Sequence, residues 1–325
     1  APSGGFRSPQ LDNIGAMEAW GVEAGLSGML VQRPGWSLSA FANGSFLREE
    51  ITDLGGAPPI KVGYYRYRIW LKEGYAPGAF FGPKLVDAPN PIDVNRDGVA
   101  DSDAELLDFL SVPRTPEEIR VLLADEDGDG DLLDHYLGKP TPDWQGSFGG
   151  TLSLPRGVRL STLFEYRAGE VHVHNLTGAF QRSSGGAGRN ILQAAEVEAV
   201  LLDPSSTAEE RLGAARTWAT ELAALSPQDG LGEVEPADLL RLRELSLAWS
   251  VPIGIIDGLG VRSLDLTVAG RNLALWTRYG GADPELNAIG RGASASELTN
   301  NFLSGVDAWG FALPRSLSVS ARVGF

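Results

Sequence analysis

The sequence predicts an all-β fold of a particular kind: an antiparallel transmembrane β-barrel, represented in part by about nine strands, with long extracellular loops of which one contains a short helix. Three observations carry that expectation. Apolar and polar residues alternate over segments long enough to cross a bilayer, which takes about 9–11 residues per strand. Aromatic residues gather near segment ends, and short and long connections sort to opposite ends of the strands.

The first strand spans 17–32. Its even positions read Trp20, Val22, Ala24, Leu26, Gly28, Leu30 and its odd ones Gly21, Glu23, Gly25, Ser27. After the turn Arg33-Pro34-Gly35 the pattern resumes over 36–46 with Trp36, Leu38, Ala40 and Ala42 on one face. Segments 61–72 and 79–86 are read as two further strands joined by a turn at Gly74–Gly78. A second clear hairpin runs over 144–154 and 158–167: Trp144, Phe148, Leu152 and Leu154 lie opposite Gln145, Ser147 and Thr151, followed by Pro155-Arg156-Gly157 and Leu160, Phe164, Tyr166. Segment 240–251 carries Leu245, Leu247, Trp249 and Val251; segment 259–271 carries Leu264, Leu266 and Val268; segment 314–325 ends on Leu317, Val319, Ala321, Val323 and Phe325. Trp20, Trp36, Tyr64, Tyr65, Trp144, Tyr166, Trp276 and Tyr279 are the expected interfacial girdles. An aromatic C-terminal residue in register with the apolar face is similar to the signal that delivers outer-membrane proteins to their insertion machinery.

With the C-terminus placed in the periplasm, the turns at 33–35, 74–78, 155–157 and 252–258 fall on that side. The long connections 47–60, 87–143, 168–239 and 272–313 fall outside. Nine strands is an odd number, whereas single-chain bacterial barrels have an even one, so residues 1–325 are expected to be the C-terminal portion of a larger barrel. Within it, 87–143 is an acidic extracellular loop insert and 180–237 a partly helical one. Ser206 or Thr207 can cap a helix over 206–226 with Glu209 or Glu210 at capping-box spacing.

Composition sets the exclusions. The 325 residues are 43% hydrophobic and 21% charged, with no Cys and a formal charge of −15. Such a charge repels phosphate and argues against a nucleic-acid partner. Lack of Cys excludes disulfides and thiolate ligands. No window approaches the roughly 18 apolar residues of a membrane helix, but alternating strands escape that criterion. No nucleophile elbow, phosphate loop or His-centred triad is present, so the chain reads as a non-enzyme.

The acidic insert offers calcium as a structural cofactor. Asp93, Asn95, Asp97 and Asp101 occupy positions 1, 3, 5 and 9 of an EF-hand-like loop with Gly98 at position 6, and Asp103 or Glu105 would have to serve for position 12. Asp125, Asp127, Asp129 and Asp131, followed by Asp134, form a second tract with compressed spacing. The simpler reading of both is a solvated acidic loop. His172 and His174, at i and i+2, read as a polar strand rim more readily than as a metal pair. Arg159, Glu165, Arg167, Asp265, Arg271 and Arg322 are expected to face the barrel lumen.

Leu240-Arg241-Leu242-Arg243-Glu244-Leu245-Ser246-Leu247, then Gly270-Arg271-Asn272-Leu273-Ala274-Leu275-Trp276-Thr277-Arg278-Tyr279 and Ala282-Asp283-Pro284-Glu285-Leu286-Asn287, resemble the C-terminal signature of SusC/RagA-type TonB-dependent outer-membrane receptors. Gly21-Val22-Glu23, the stretch Glu73 to Gly82 and Gly138-Lys139-Pro140-Thr141-Pro142 resemble that family in the same order. The resemblance implies a barrel of about 22 strands around an N-terminal plug. It also implies location in the outer membrane of a Gram-negative bacterium, amid its lipid, and uptake of a bulky nutrient such as an oligosaccharide or peptide. A SusD-like surface lipoprotein and the TonB system, reached through a plug not found in this sequence, are the implied partners. The alternatives are a soluble secreted calcium-stabilised β-rich adhesin or carbohydrate-binding module, and the product of a split gene.

Overall fold

The computed structural model describes residues 15–62, 67–82, 102, 104–105, 108, 134–183, 192–207, 209–211, 213–214, 217, 234–258, 260–286 and 304–325. In chain order the strands are β1 (Ala16–Arg33), β2 (Trp36–Asp53), β3 (Ile60–Lys61), β4 (Ile69–Leu71), β5 (Ala79–Gly82), β6 (His135–Gly138), β7 (Trp144–Ser153) and β8 (Val158–Ala168). They continue with β9 (His172–Asn175), β10 (Val234–Pro236), β11 (Leu239–Ser250), β12 (Ser263–Thr277), β13 (Val306–Asp307) and β14 (Ser316–Gly324). Helices α1 (Leu176–Ser183) and α2 (Leu192–Leu202) lie between β9 and β10. No helix among the described residues is long and apolar enough to cross a membrane, which says nothing of strands.

Seven strands form one antiparallel sheet in the order β1-β2-β7-β8-β11-β12-β14. Alternation accounts for it: cross-strand partners share a face, so the even apolar residues of β1, β2, β7 and β8 line up in rows. The short connections sit at one end. Gly35 and Gly157 adopt positive φ of 87° and 80° there, which glycine tolerates without steric cost. The connections between β2 and β7, β8 and β11, and β12 and β14 all leave the opposite end.

Two of the expected strands are not in this sheet. Segment 61–72 contributes only the ends of β3 and β4, and 79–86 contributes β5, all in a separate four-stranded sheet ordered β3-β4-β5-β6. The described residues between Leu54 and Asp143 therefore lie outside the large sheet, and the Gly74–Gly78 turn belongs with them instead of with the short-turn end. The physical reason is burial. Ala79, Phe80, Phe81 and Gly82 are all buried, a continuous apolar run with both faces covered, whereas a bilayer strand alternates. Because the two strands drop out together, the number in the large sheet remains odd. The strand placed at 259–271 begins at Ser263 and runs six residues further, to Thr277, and that placed at 36–46 extends to Asp53. Helical structure in the 180–237 loop is not a single short helix: α1 and α2 precede the helical residues that follow Thr207. There the capping box forms, with Glu210 N–H donating to Thr207 Oγ1 at 3.2 Å and Thr207 N–H to Glu210 Oε2 at 2.8 Å.

The apolar core lies at the long-loop end, between the small sheets. Val62, Tyr67, Ile69 and Phe80 from the four-stranded sheet and its flanks meet Leu176 of α1 and Val306 of β13. A three-stranded sheet, β10-β9-β13, carries β13 parallel to β9. Tyr279 belongs to this region: it is buried beside Val171, Val173 and Ala237 and is not part of a girdle. Tyr64 and Tyr65 lie outside the described residues.

Tyr166 also departs from the girdle reading, because its ring crosses the faces of Gly44 and Gly146. A Cβ would stand 2.6 Å from the Tyr166 hydroxyl at Gly44 and 2.9 Å from it at Gly146, where it would also meet backbone of β2. Gly28 has open space instead. Gly146→Val is therefore expected to destabilise the sheet by about 1–3 kcal/mol, while Gly28→Val leaves stability unchanged within about 0.5 kcal/mol. Urea unfolding in detergent checks this; equal losses at the two positions would refute the packing explanation.

Candidate functional site: the polar face and its charged rim

The two faces of the large sheet differ in chemistry. One carries large apolar side chains in the open, including Leu26 at 79% exposure, Leu317 and Val319 at 73% each, and the tryptophans Trp20, Trp144 and Trp276. Trp20, Phe46 and Trp144 form a row of neighbouring rings near the long-loop end. The other face is polar. Its rungs read Glu23-Ser45-Gln145-Arg167 across four strands and Gly25-Asn43-Ser147-Glu165-Arg241 across five.

All six residues expected to face a lumen lie on this polar face. They fall into separate groups. Glu165 and Arg167 sit near the long-loop end, on a concave tract of about 620 Å³ shared with Glu23, Asn43, Gln145 and Ser147. Arg159, Asp265 and Arg322 lie near the short-turn end around a second concavity of about 590 Å³, where Asp265 accepts a 2.6 Å hydrogen bond from Ser250. Arg271 is mid-sheet, paired at 3.1 Å with Glu244.

The strongest electrostatic feature is one the sequence reading passed over. Arg241, 3% exposed in its side chain, stands 2.6 Å from Asp283, itself 2% exposed, and its Nε is 2.8 Å from Glu285. Arg243 donates to Glu165 at 2.6 Å and also pairs with Glu285, which Arg167 approaches at 3.3 Å. Three guanidinium groups thus meet three carboxylates. The second Asp283 oxygen accepts Leu313 N–H at 3.1 Å, tying the approach to β14 to the same point.

Local backbone geometry explains how β11 delivers two arginines here. Leu242 pairs with Phe164 and Glu244 with Leu163, leaving Arg243 as an inserted residue. The insertion turns Arg243 and Glu244 to the same side, as the phase slip in Leu240-Arg241-Leu242-Arg243-Glu244-Leu245-Ser246-Leu247 would have indicated. Opposite it, Asn272 takes a positive φ of 52°, a conformation Asn tolerates, and donates to Pro314 O at 3.2 Å.

Behind the rim, Tyr279 donates to Asp307 Oδ2 at 2.9 Å, and Thr177 of α1 donates to the other oxygen at 2.9 Å. Burial, and then the Asp307 charge and hydrogen bond, push the Tyr279 phenol far above its ordinary value. The two histidines do not converge: His172 shares a 2.8 Å hydrogen bond with Glu170 O, while His174 is fully buried with its ring edge against Phe80.

The candidate calcium ligands Asp93, Asn95, Asp97, Asp101, Asp103, Asp125, Asp127, Asp129 and Asp131 lie outside the described residues. Of their neighbours, Glu105 accepts both the N–H and the hydroxyl of Ser102 in a helix cap, and Asp134 pairs with Lys72 at 2.6 Å. Among the described residues no cluster of His, Asp and Glu is arranged to hold a metal.

No family model matches the sequence. Two receptors of Formosa agariphila do: TonB-dependent receptor P3, 26% identical over 86% of this chain, and TonB-dependent receptor P26, 25% identical over 99%. The chain is a relative of these TonB-dependent receptors. It spans 26% of the length of the first receptor and 30% of the second. Its fold matches the RagAB peptide transporter with a TM-score of 0.63 at 20% identity, over 99% of this chain and 30% of that one. The RagAB peptide importer in its open-open state gives 0.64 at the same identity, with all of this chain and 30% of that one covered. In this receptor relative, the residues that carry the family resemblance at 241–244 and 283–285 are those that build the rim.

Two outcomes follow from the rim. Arg241→Leu would leave Asp283 buried without its cation and take one of three from Glu285, and is expected to cost about 3–5 kcal/mol. Arg271→Leu, at an exposed pair, costs under about 1 kcal/mol. Urea midpoints of the two variants should separate accordingly. Tyr279 supplies a pH signature. Its phenol binds its proton more tightly folded than unfolded, so stability is full below the ordinary tyrosine value near 10 and falls as pH rises beyond it. Tyr279→Phe should flatten that alkaline decline in unfolding experiments between pH 9 and about 11.

Proposed function

We propose that this chain is a segment of the barrel wall of an outer-membrane importer, taking part in TonB-dependent uptake of a bulky nutrient. The observation that carries the reading is the two-faced sheet: large apolar side chains stand exposed on one side, and hydrogen-bonding and charged groups line the other. In water that apolar face would drive association, whereas in a bilayer it is matched to its solvent. Under this reading the long-loop end is extracellular and the short turns are periplasmic. The relatives are receptors and transporters, which supports a non-enzymatic role.

The soluble-module alternative would have to cover the apolar face with protein, and among the described residues the strands that bear it leave it open. A SusD-like surface lipoprotein would meet the small sheets at the long-loop end, and the RagAB neighbours support a partnered receptor. Coupling to TonB would run through parts of such a receptor outside this segment.

Fractionation tests the reading directly. The full-length receptor should remain in the outer-membrane pellet after carbonate wash and need detergent for extraction; release as a monodisperse soluble monomer would overturn it. Val319→Arg, which puts a cation on the apolar face, should lower stability by about 2–4 kcal/mol if that position lies near mid-bilayer, and by much less in a soluble module.

A further inference from the structure

On the apolar face of the large sheet, two strands end their run of large side chains in the same way toward the long loops. Along β2 the residue two beyond Phe46 is Arg48; along β14 the residue two before Leu317 is Arg315, one position outside the strand. A spacing of two keeps a residue on the face of its neighbour. Arg48 stands directly opposite Trp20, whose ring centre is 5.1 Å from that of Phe46. Both arginines are exposed, and neither pairs with a carboxylate among the described residues. On the polar face, by contrast, Arg167, Arg241, Arg243 and Arg271 all have carboxylate partners. Arg278, two beyond Trp276, is paired with Asp238.

Register fixes their relative height. Leu317 shares a rung with Gly270, Leu245, Thr162, Gly150 and Ala40, from β14 across to β2. Arg48 is eight residues beyond Ala40 and Arg315 two beyond Leu317, a difference of six. The line between them therefore climbs about 20 Å of strand while it crosses five strand spacings, about 24 Å. Its slope of about 40° equals the tilt of strands in a transmembrane barrel. The short-turn edge of the apolar face steps the same way, with Trp36 four residues below that rung and Phe325 eight. In a membrane the two arginines thus stand at one depth, at the edge of the apolar band and about 30 Å apart along the wall.

We propose that Arg48 and Arg315 hold the phosphate groups of anionic lipids in the leaflet at the long-loop end. Beside a bilayer, an arginine lays its stem along apolar surface and keeps its guanidinium in the headgroup layer. Its planar fork of N–H donors matches phosphate oxygens two at a time. Charge sets the level. One row farther out, Glu18 and Glu50 face each other across β1 and β2, and this pair repels an anion from the hairpin above Arg48. Separation sets the number, because no single phosphate spans about 30 Å and each arginine takes its own headgroup. A free phosphate has only the guanidinium to hold it. A lipid adds its acyl chains, which lie against Phe46 below Arg48 and against the exposed Leu317 and Val319 below Arg315.

The proposal rests on the reading of this chain as part of an outer-membrane importer, and names lipid contacts on its outer wall. Its test uses the full-length receptor in detergent, titrated with dioleoyl phosphatidic acid and dioleoyl phosphatidylcholine, with bound lipids counted by native mass spectrometry. Phosphatidic acid should bind in preference, and Arg48→Gln and Arg315→Gln should each weaken one of its binding steps by about fivefold. Arg322→Gln, the same loss of charge on the polar face, should leave both steps as they are. Equal binding of the two lipids, unchanged binding in both variants, an equal loss in Arg322→Gln, or displacement of the lipid by excess inorganic phosphate at constant ionic strength would each overturn the proposal. Carbonate fractionation of the same variants separates the two readings. A receptor that stays with the membrane but shows no arginine-dependent lipid step defeats the phosphate sites alone, and a soluble one defeats the importer.

Discussion

The buried meeting of Arg241 and Arg243 with Glu165, Asp283 and Glu285 holds the sheet to what stands above it. Charges taken from water cost several kcal/mol each unless their partners and hydrogen bonds are complete. Here two strands and a loop bring the partners together. Glu165 comes from β8, the arginines from β11, and Asp283 and Glu285 from the chain beyond β12. Asp283 also takes the N–H groups of Glu285 and Leu313, so one carboxylate fixes its own turn and the approach to β14. The inserted residue in β11 is what makes this geometry available, since unbroken alternation would send Arg243 and Glu244 to opposite faces.

A second centre of the same kind lies farther from the sheet. Asp307, 1% exposed, receives Thr177 and Tyr279, while Asn175 donates to Glu235, which also accepts Gly280 N–H. Four separate stretches of chain, around 175, 235, 280 and 307, are thus joined by carboxylates that accept from neutral donors. Apolar packing of Leu176, Val306 and Phe80 fills the space between. The small sheets could not stand alone on two- to four-residue strands, because so few ladder bonds do not offset the entropy of ordering the connections.

Much of the wall was legible in the sequence because alternation is a direct imprint of a two-faced sheet. The hairpins at 20–42 and 144–166 appear as read, and the lumen candidates share one face. Legibility failed where apolar residues are packed on both sides. Phe80-Phe81 and Ile69-Trp70-Leu71 are as apolar as a bilayer strand, and only their lack of alternation marks them as members of a buried sheet. Tyr279 and Tyr166 show a related limit, since ring position along a strand does not reveal whether lipid, a glycine lane or a buried carboxylate receives it. Arg241, Arg243, Asp283 and Glu285 stand in the segments that resemble the family, where sequence alone gives them no role. Their partnership spans 42 residues between Arg241 and Asp283, a separation no local pattern encodes. The phase slip at Arg243-Glu244 was the available clue.

These ties constrain how a receptor built this way can move. Lifting the turn at 278–286 from β11 would part Arg241, 3% exposed, from Asp283, 2% exposed, at a cost of several kcal/mol. The same displacement would break the Leu313 bond to Asp283 at the entry to β14, leaving Asn272 of β12 to hold it through Pro314. By contrast, the pairs on the open face of the sheet, such as Arg271 with Glu244, are hydrated and cost little to exchange. Under the proposed role in import, rearrangement during ligand passage would therefore fall on the solvated side chains of the polar face before it fell on the rim.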